Sequence, residues 1–407
     1  MTALVRSALG TLLIACPFAF SAGEPSAAPS AGWMGSEAGA LTGHVQLTFP
    51  EKFLRAGEAY FSRNDKWIVF QAIPRPAEGK SPDEHYSMYV AKVIYNDDGD
   101  ITGLEEPLLM SPPGSANTCG YFNPKKPWEI IFGSTVSAPQ AQDTPGYQRG
   151  TRSYRWAFPA EMDVVAKIVP PMLPNLRGPN GREVNMPADQ LELRRIISQP
   201  GYQAECSFDP SGRYIVYANV QGTDEASGRP QIGLDLLDTK VNRVLTLVKP
   251  QGYNGGPFFS PDGSMICMRA DRKGDDLLQV YVLELDQAQD GSIVGVKSER
   301  QVTDNGHVNW APFWHASSNS LVYATSEVGH DNYEVFSVEV PRGESAGKKP
   351  SELKHKRITH AAGFDGLPVF SEGAVWMMWT SQRGPKLPSE SKPSSQLWAA
   401  RTVEIEP

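Results

Sequence analysis

The sequence is poor in cysteine, in positive charge and, beyond its N-terminal segment, in long apolar runs. Its 407 residues include only four cysteines. Once Cys16 is lost with the N-terminal segment, three cysteines remain, Cys119, Cys206 and Cys267. An odd number excludes a complete disulfide framework, so we interpret them as small buried hydrophobic residues. The formal charge of -8 becomes -9 without Arg6, so the chain lacks the basic surface that nucleic acid requires. No later run spans a membrane without charges, which excludes a transmembrane helix.

Glycine, proline and apolar residues are abundant. Hydrophobic residues make up 40% of the chain, enough to bury a large core, and 37 glycines and 34 prolines are spread along it. Turn-forming residues at regular intervals favour an all-β chain with many short strands over a helical bundle.

The N-terminus resembles an export signal. Residues 1–22 carry Arg6, an apolar run and then small residues, the layout of a secretory signal peptide. Leu13-Ile14-Ala15-Cys16 also resembles a lipobox, which would tether the protein to a membrane through Cys16. Residues 23–43 are rich in Ala, Ser, Gly and Pro, and we expect them to form a flexible spacer.

One pattern recurs six times: a small or proline residue, two mostly apolar residues, a turn and a strongly apolar strand. Each copy contains an aromatic residue, here called the anchor, and successive anchors are 61, 86, 51, 55 and 56 residues apart, near the period of propeller blades. The repeat predicts an all-β, six-bladed β-propeller of four-stranded antiparallel blades over residues 44–403. The anchors are Phe61, Phe122, Phe208, Phe259, Trp314 and Phe370.

Turns and strand ends support this architecture. The segments 209–212 and 260–263 place Pro second and Gly fourth, as type I turns prefer, and are expected to join the first two strands of a blade. Short fourth strands are predicted at 244–248 and 300–304, whereas the sixth copy lacks one. Because residues 44–48 share their pattern, we expect this N-terminal strand to pair with the last blade and close the ring.

These repeats resemble those of the TolB-like propeller family. The resemblance is carried by residues 258–263, by the predicted third strand at 279–286 and by 300–303, and it covers roughly residues 42–401. In that family the propeller is a periplasmic platform for protein contacts. Here a signal, a spacer and one strand precede the first blade, in place of the α/β domain found in TolB-like proteins. The resemblance therefore implies a propeller binding module.

A polar ring is predicted at one mouth of the central channel, where propellers usually bind ligands. The residue five positions before the anchor is an amide or a carboxylate in five of the six copies. Symmetry would arrange these side chains as a ligand-binding ring; alternatively, they cap turns and hold backbone amides. They are Asn117, Gln203, Asn254, Asn309 and Asp365, with Ala56 in the first copy.

Loops between the second and third strands should open on the same face, and several are acidic. They would meet a basic partner surface or hold a cation, although solvated turns explain them equally well. The second blade also carries two long insertions, 134–153 and 170–190, on opposite faces, and we expect the first to cover part of the mouth. The loop residues are Asp224, Glu225, Asp271, Asp275, Asp276, Glu327, His330 and Asp331.

Catalysis has less support in the sequence. We expect no Gly-x-Ser-x-Gly elbow, no phosphate loop and no appended hydrolase domain, and the histidines lack the spacing of a zinc helix. A metal site would need side chains from separate blades, as in propeller lyases that act on acidic sugars, and His307, His330 and His360 are the candidates. Five tryptophans invite a sugar-stacking interpretation, but packing between blades is favoured for Trp310, Trp314, Trp376, Trp379 and Trp398.

These observations predict a periplasmic or secreted, monomeric propeller that binds an envelope protein or peptide and needs no cofactor. The alternative is a propeller enzyme, a metal-dependent lyase or hydrolase that acts on polysaccharide. The two classes differ at the channel mouth, because an enzyme needs converging histidines, carboxylates or a metal there.

Overall fold

Six sheets follow one another along the chain, and each is built from antiparallel strands. The computed structural model describes residues 32–140, 147–148, 155–156, 159–173, 191–226 and 230–407. This confirms the predicted all-β propeller with six blades. The predicted signal peptide, Cys16 and most of the two blade-2 insertions lie outside the described residues.

The strands of the first three blades follow α1 (Gly32–Glu37) and β1 (Leu41–Gln46). Blade 1 contains β2 (Phe53–Phe61), β3 (Trp67–Pro74), β4 (Ser87–Tyr95), β5 (Ile101–Leu104) and β6 (Leu108–Leu109). Blade 2 contains β7 (Asn117–Phe122), β8 (Glu129–Ser134), β11 (Asp163–Ile168) and β12 (Arg194–Ile197). A separate antiparallel pair, β9 (Tyr147–Gln148) and β10 (Arg155–Trp156), lies between β8 and β11. Blade 3 contains β13 (Gln203–Phe208), β14 (Tyr214–Thr223), β15 (Pro230–Asp238) and β16 (Arg243–Val248).

The remaining three blades have the same order. Blade 4 contains β17 (Asn254–Phe259), β18 (Met265–Ala270), β19 (Gln279–Gln287) and β20 (Ile293–Gln301). Blade 5 contains β21 (Asn309–Trp314), β22 (Ser320–Thr325), β23 (Glu334–Glu339) and β24 (His355–Arg357). Blade 6 contains β25 (Asp365–Phe370), β26 (Trp376–Ser381) and β27 (Gln396–Thr402). Short 3-10 turns occupy Pro170–Met172, Gly343–Ser345, Pro350–Glu352 and Glu372–Ala374.

The anchor of every repeat is the last residue of its innermost strand, which explains why the sequence pattern is so regular. The two predicted type I turns follow the anchors of blades 3 and 4. The Gly212 N–H donates to Asp209 O at 2.9 Å, and the Gly263 N–H donates to Ser260 O at 2.8 Å. The predicted fourth strand at 300–304 was placed too late, because β19 pairs with residues 293–301 instead.

The N-terminal strand closes the ring, as predicted. β1 pairs antiparallel with β27, with Leu41 opposite Thr402 and Gln46 opposite Trp398, so it supplies the fourth strand of blade 6. The expected spacer ends earlier than Gly43, because residues 32–37 form α1 and the closing strand begins at Leu41. The buried side chain of Glu37 fixes this segment, a contact that the Ala- and Gly-rich composition does not indicate.

The core lies between neighbouring blades. The second strands β8, β22 and β26 are buried along their whole length, as expected for strands covered on both faces. Cys119, Cys206 and Cys267 are free and buried, as the odd cysteine count predicts. None of the helices in the described ranges is long and apolar enough to cross a membrane.

Candidate functional site

Each innermost strand contains a β-bulge at the same place. The pairing register of the first two strands shifts in all six blades, and the third residue before the anchor has a positive φ between 46° and 56°. A bulge re-aims side chains and sharpens the local twist. Because innermost strands line the channel of a propeller, these residues form one level of it. They are Glu58, Cys119, Glu205, Gly256, Ala311 and Leu367.

Aromatic rings close the channel below this level, towards the anchors. The Tyr60 ring of blade 1 lies 5.3 Å from the Phe258 ring of blade 4, the blade opposite. Tyr121 and Phe313 complete the group, at 5.6 Å and 6.2 Å from Tyr60. We call these four residues the aromatic plug. The charged level lies on the other side of this plug, towards the end at which the innermost strands begin, here called the top face.

A buried ion pair occupies one side of the charged level. The Arg269 Nη2 of β18 donates to Glu205 Oε2 at 2.8 Å, and the backbone N–H of Gly256 donates to the same oxygen at 2.7 Å. The Tyr253 hydroxyl lies 3.1 Å and 2.9 Å from the two Glu205 oxygens. A Cβ atom on Gly256 would lie 2.2 Å from Arg269 Nη1, so the absent side chain makes room for the guanidinium.

The second carboxylate, Glu58, is held differently. Its Oε1 accepts from the Cys119 thiol at 2.8 Å and from the Tyr60 hydroxyl at 3.3 Å, both neutral donors. Its backbone N–H donates to Thr380 Oγ1 of blade 6 at 3.1 Å. The charged level therefore contains two carboxylates and one guanidinium among the described residues.

Burial is the main influence on the pKa values of the groups in the charged level. It raises the pKa of Glu58, with a further contribution from the Glu205 charge, while the Cys119 thiol and Arg269 oppose the rise. Burial also raises the pKa of the Cys119 thiol well above its usual range, which makes this cysteine a poor nucleophile. Burial disfavours the charge on Arg269, but Tyr253 and Glu205 outweigh that effect and raise its pKa.

The five predicted ring residues all begin innermost strands, so the structure confirms their equivalent positions. Asn117, Gln203, Asn254, Asn309 and Asp365 are at most 4% exposed. Two of them bond to nearby loops: Asn117 Nδ2 donates to Ser115 O and Tyr86 O at 2.9 Å, and Asn309 Nδ2 to His307 O at 3.1 Å. Two others bond to neighbouring strands: Gln203 Nε2 donates to Asn219 Oδ1 at 3.3 Å, and Asn254 Nδ2 to Ile232 O at 2.6 Å. This favours the capping alternative, and their ligand-binding role stays a prediction.

Asp365 belongs to a buried ion-pair cluster at the ring closure. Arg383 Nη2 donates to Asp365 Oδ2 at 2.8 Å, and Arg383 Nη1 donates to Glu37 Oε2 at 2.9 Å. Glu37 and Arg383 have fully buried side chains. The guanidinium lies 4.2 Å from the Trp33 ring and 4.8 Å from the Trp379 ring, a cation–π arrangement. The N-terminal helix is thus locked to blade 6.

The residues considered for metal binding do not converge. Among the residues that the structure describes, no group of three His, Cys, Asp or Glu side chains is arranged to hold a metal ion. His330 lies against Tyr333, with ring centroids 5.4 Å apart, and burial lowers the pKa of His360. In the acidic loops, Asp271 is buried and accepts from the Asp275 and Asp276 N–H groups, which is turn capping.

One pentapeptide matches the Gly-x-Ser-x-Gly pattern of hydrolase nucleophiles, at residues 343–347. The structure places it in a 3-10 turn between β23 and β24 rather than in a strand-to-helix elbow. The Ser345 hydroxyl is buried and contacts the carbonyls of Val340 and Arg342 at 3.2 Å and 2.9 Å. These contacts make Ser345 a turn residue.

The tryptophans are mostly core residues, as predicted. Trp310, Trp314, Trp376 and Trp379 are at most 7% exposed, and the Trp314 indole N–H donates to Phe258 O at 2.8 Å. Trp398 is half-buried at the ring closure, 6.4 Å from the Trp33 ring.

The sequence analysis missed Glu58, Glu205 and Arg269. A signal for them was present: the third residue before the anchor is charged in two copies, and Arg269 is a lone basic residue in an otherwise apolar strand. Buried charges require partners, so these residues were candidates for contact with one another.

Comparison with known proteins agrees with the predicted resemblance to TolB-like repeats. The Tol-Pal system protein TolB of Nitratidesulfovibrio vulgaris is 22% identical over 138 residues, which are 34% of this chain and 27% of that protein. The similarity thus spans about a quarter of that relative's length. No family model matches the chain.

Three solved structures show similar folds at low identity. TolB from Acinetobacter baumannii is 14% identical with a TM-score of 0.47, covering 84% of this chain and 65% of that one. A putative TolB from Agrobacterium tumefaciens is 13% identical with a TM-score of 0.47, and the match covers 88% of this chain and 92% of that one. Oligogalacturonate lyase from Vibrio parahaemolyticus is 11% identical with a TM-score of 0.43, again covering 88% and 92%.

Proposed function

We propose that this protein is an exported binding scaffold of the cell envelope, and that a protein segment or peptide binds at the top face of its channel. The observation that carries the proposal is the layered channel: an aromatic plug closes it, and a level of charged groups lies between the plug and the top face. Fixed polar groups above a closed floor suit the recognition of a protruding segment of a partner.

The remaining support comes from the sequence. The N-terminal 22 residues have the layout of an export signal, and the matched stretch of a Tol-Pal system protein favours an envelope role. The acidic total charge favours partners with basic surface groups over nucleic acid. A rigid ring with a buried core also needs no conformational change to present its top face.

The test is face-resolved photo-crosslinking in the native host. A photoreactive amino acid replaces Phe49 or Val328, which are 50% and 42% exposed in loops of the top face. Matched controls replace Val241 or Val375, which are 60% and 46% exposed in loops at the opposite end. The proposal predicts one discrete crosslinked protein from the top positions and none from the controls. Equal crosslinking from both faces, or from neither, contradicts it.

The enzymatic alternative needs a metal or a catalytic group that the described residues do not assemble at the mouth. It makes a separate prediction, namely release of unsaturated sugars from acidic polysaccharide with stoichiometric metal in the purified protein. Activity that disappears with a chelator and returns with a divalent cation would favour this alternative over the scaffold.

A further inference from the structure

We propose that the channel above the aromatic plug binds the ammonium or guanidinium head of a ligand at the Glu58 carboxylate, and that this head belongs to a lysine or arginine side chain of the partner segment. The inference rests on the proposed function and names the chemistry that the channel recognises. Three features of the charged level carry it.

The first feature is the unequal neutralisation of the two carboxylates. Glu205 receives the Arg269 guanidinium and the Gly256 N–H, both at hydrogen-bonding distance, in addition to Tyr253. Glu58 receives only the Cys119 thiol and the Tyr60 hydroxyl, on one of its two oxygens, and forms no ion pair among the described residues. Glu58 is half-buried, and a partly desolvated carboxylate without a cationic partner is costly, so a cation supplied by a ligand would be stabilised there.

The second feature is an apolar recess at the same level. The bulge positions of blades 4 to 6 carry Gly256, Ala311 and Leu367, whereas those of blades 1 to 3 carry polar side chains. The space beside Gly256 is filled by Arg269, but a small recess remains next to it. It is lined by Tyr60, Phe258, Arg269, Ala311, Phe313 and Leu367. Tyr60 and Arg269 also interact with Glu58, so recess and carboxylate adjoin. The cavity volume of the recess is about 10 Å³, room for about one water molecule, so the cationic head of a ligand would take the place of that water beside the carboxylate.

The third feature is preorganisation. Glu58 has a φ of 46°, a conformation that side chains other than glycine adopt at a cost. Its N–H is held by Thr380 Oγ1 at 3.1 Å, and a Cβ on the preceding Gly57 would lie 2.8 Å from the same oxygen. The close approach of blade 6 thus fixes the Glu58 backbone before any ligand arrives, which lowers the entropy lost on binding.

Arg269 shows that this channel accommodates a guanidinium. Its Cζ lies 5.7 Å from the Tyr253 ring and 5.8 Å from the Trp310 ring, while its Nη2 is paired with Glu205. Aromatic faces and a carboxylate together recognise cations. In the described part of the chain, the charged level holds one guanidinium and two carboxylates. A second cation therefore brings its net charge to zero and does not leave an excess of positive charge.

Isothermal titration of the mature protein, residues 23–407, tests this inference. The probes are N-acetyl-arginine amide, its neutral isostere N-acetyl-citrulline amide, n-butylammonium, and an acetylated Gly-Arg-Gly peptide. We expect the arginine probes to bind and the citrulline probe to bind at least about tenfold more weakly, because its neutral ureido group donates hydrogen bonds but does not neutralise the carboxylate. Equal affinity for the arginine and citrulline amides would overturn the proposal.

The Glu58→Gln variant keeps the shape of the side chain and removes its charge. It should weaken binding of the arginine probes at least about tenfold, whereas Glu105→Gln, an exposed acid of the same blade, should leave binding unchanged. Unchanged affinity in Glu58→Gln overturns the inference. Should this variant fold poorly, Glu58→Asp replaces it: the shorter side chain withdraws the carboxylate and should weaken binding of the arginine probes, and unchanged affinity overturns the inference.

The probes also distinguish the source of the cation. Tighter binding of the arginine peptide than of n-butylammonium supports a partner side chain, and the reverse order overturns that part of the proposal in favour of a free amine. Failure here is separable from failure of the proposed function. If top-face crosslinking persists at full yield in Glu58→Gln, the proposed scaffold function stands and only the proposed role of Glu58 fails.

Discussion

In each innermost strand, the residue with positive φ three positions before the anchor determines which group lies in the channel. Where that residue is glutamate, the channel gains a carboxylate, and where it is Gly256, the space is filled by Arg269 from the next strand. The glycine is required for two reasons: its φ is +56°, and a Cβ would collide with the guanidinium.

The variant Gly256→Ala separates these reasons. We expect a loss of about 2–4 kcal/mol in the free energy of unfolding, because alanine is strained at positive φ and displaces Arg269 from its carboxylate. Gly291→Ala is the control, since Gly291 has a φ of +76° and nothing within 4 Å of its Cβ position. The control should lose only about 1–2 kcal/mol in the same urea titration. Equal losses would show that the Arg269 contact contributes nothing.

Glu334 makes stability depend on pH. Burial, with repulsion from Asp365, raises its pKa to about 8, while Thr359 and Arg357 oppose the rise. An acid whose pKa is raised on folding favours the native state below its unfolded pKa of 4.5, and that stabilisation is lost as the pH rises towards 8. Glu334→Gln should therefore flatten the stability profile between pH 5 and 8 by about 1 kcal/mol or more. Thermal unfolding across this range measures the effect, with Glu105→Gln expected to retain the wild-type slope.

At the scale of the element, the closing segment combines a strand with a buried ionic lock. β1 supplies backbone pairing to β27, whereas α1 has only six residues and depends on side chains. A helix this short is marginal alone, so tertiary contacts hold it. Glu37 supplies them: it accepts from Arg383, from the His360 N–H at 2.7 Å and from His44 at 2.7 Å.

The variant Glu37→Ala should therefore destabilise the whole ring. It leaves the fully buried Arg383 with Asp365 as its remaining carboxylate partner, and breaking one side of a buried ion pair costs about 3–5 kcal/mol. Ser36→Ala, an exposed position of the same helix, is the control and should stay within about 0.5 kcal/mol of wild type. Hydrogen exchange should show the largest loss of protection in β1 and β27. Unchanged exchange there would refute the lock.

The sequence predicts the elements better than the site, for physical reasons. Anchors, turns and the closing strand follow from periodicity and from proline and glycine geometry, which are local. The ring residues were placed at the correct strand ends, but their burial depends on loops folding back, as when Ser115 O meets the Asn117 amide. The Glu205–Arg269 pair joins strands of different blades, so no local pattern predicts it.

For the whole molecule, closure turns six similar sheets into a scaffold with two unequal faces. The aromatic plug joins opposite blades at one level, and the ionic lock joins α1 to blade 6, so contacts at two places hold the ring together. Rigidity favours binding through a preformed recess. An enzyme on the same fold would instead need catalytic groups at the mouth.

Native mass spectrometry of the mature protein, purified from the envelope of its own host, tests the central claim most directly. It counts bound protein and bound metal in one experiment. The scaffold predicts a stoichiometric complex with a second protein, which Glu58→Gln weakens and Glu105→Gln does not. A protein that carries one equivalent of a transition metal and no partner would contradict the account and favour the polysaccharide enzyme.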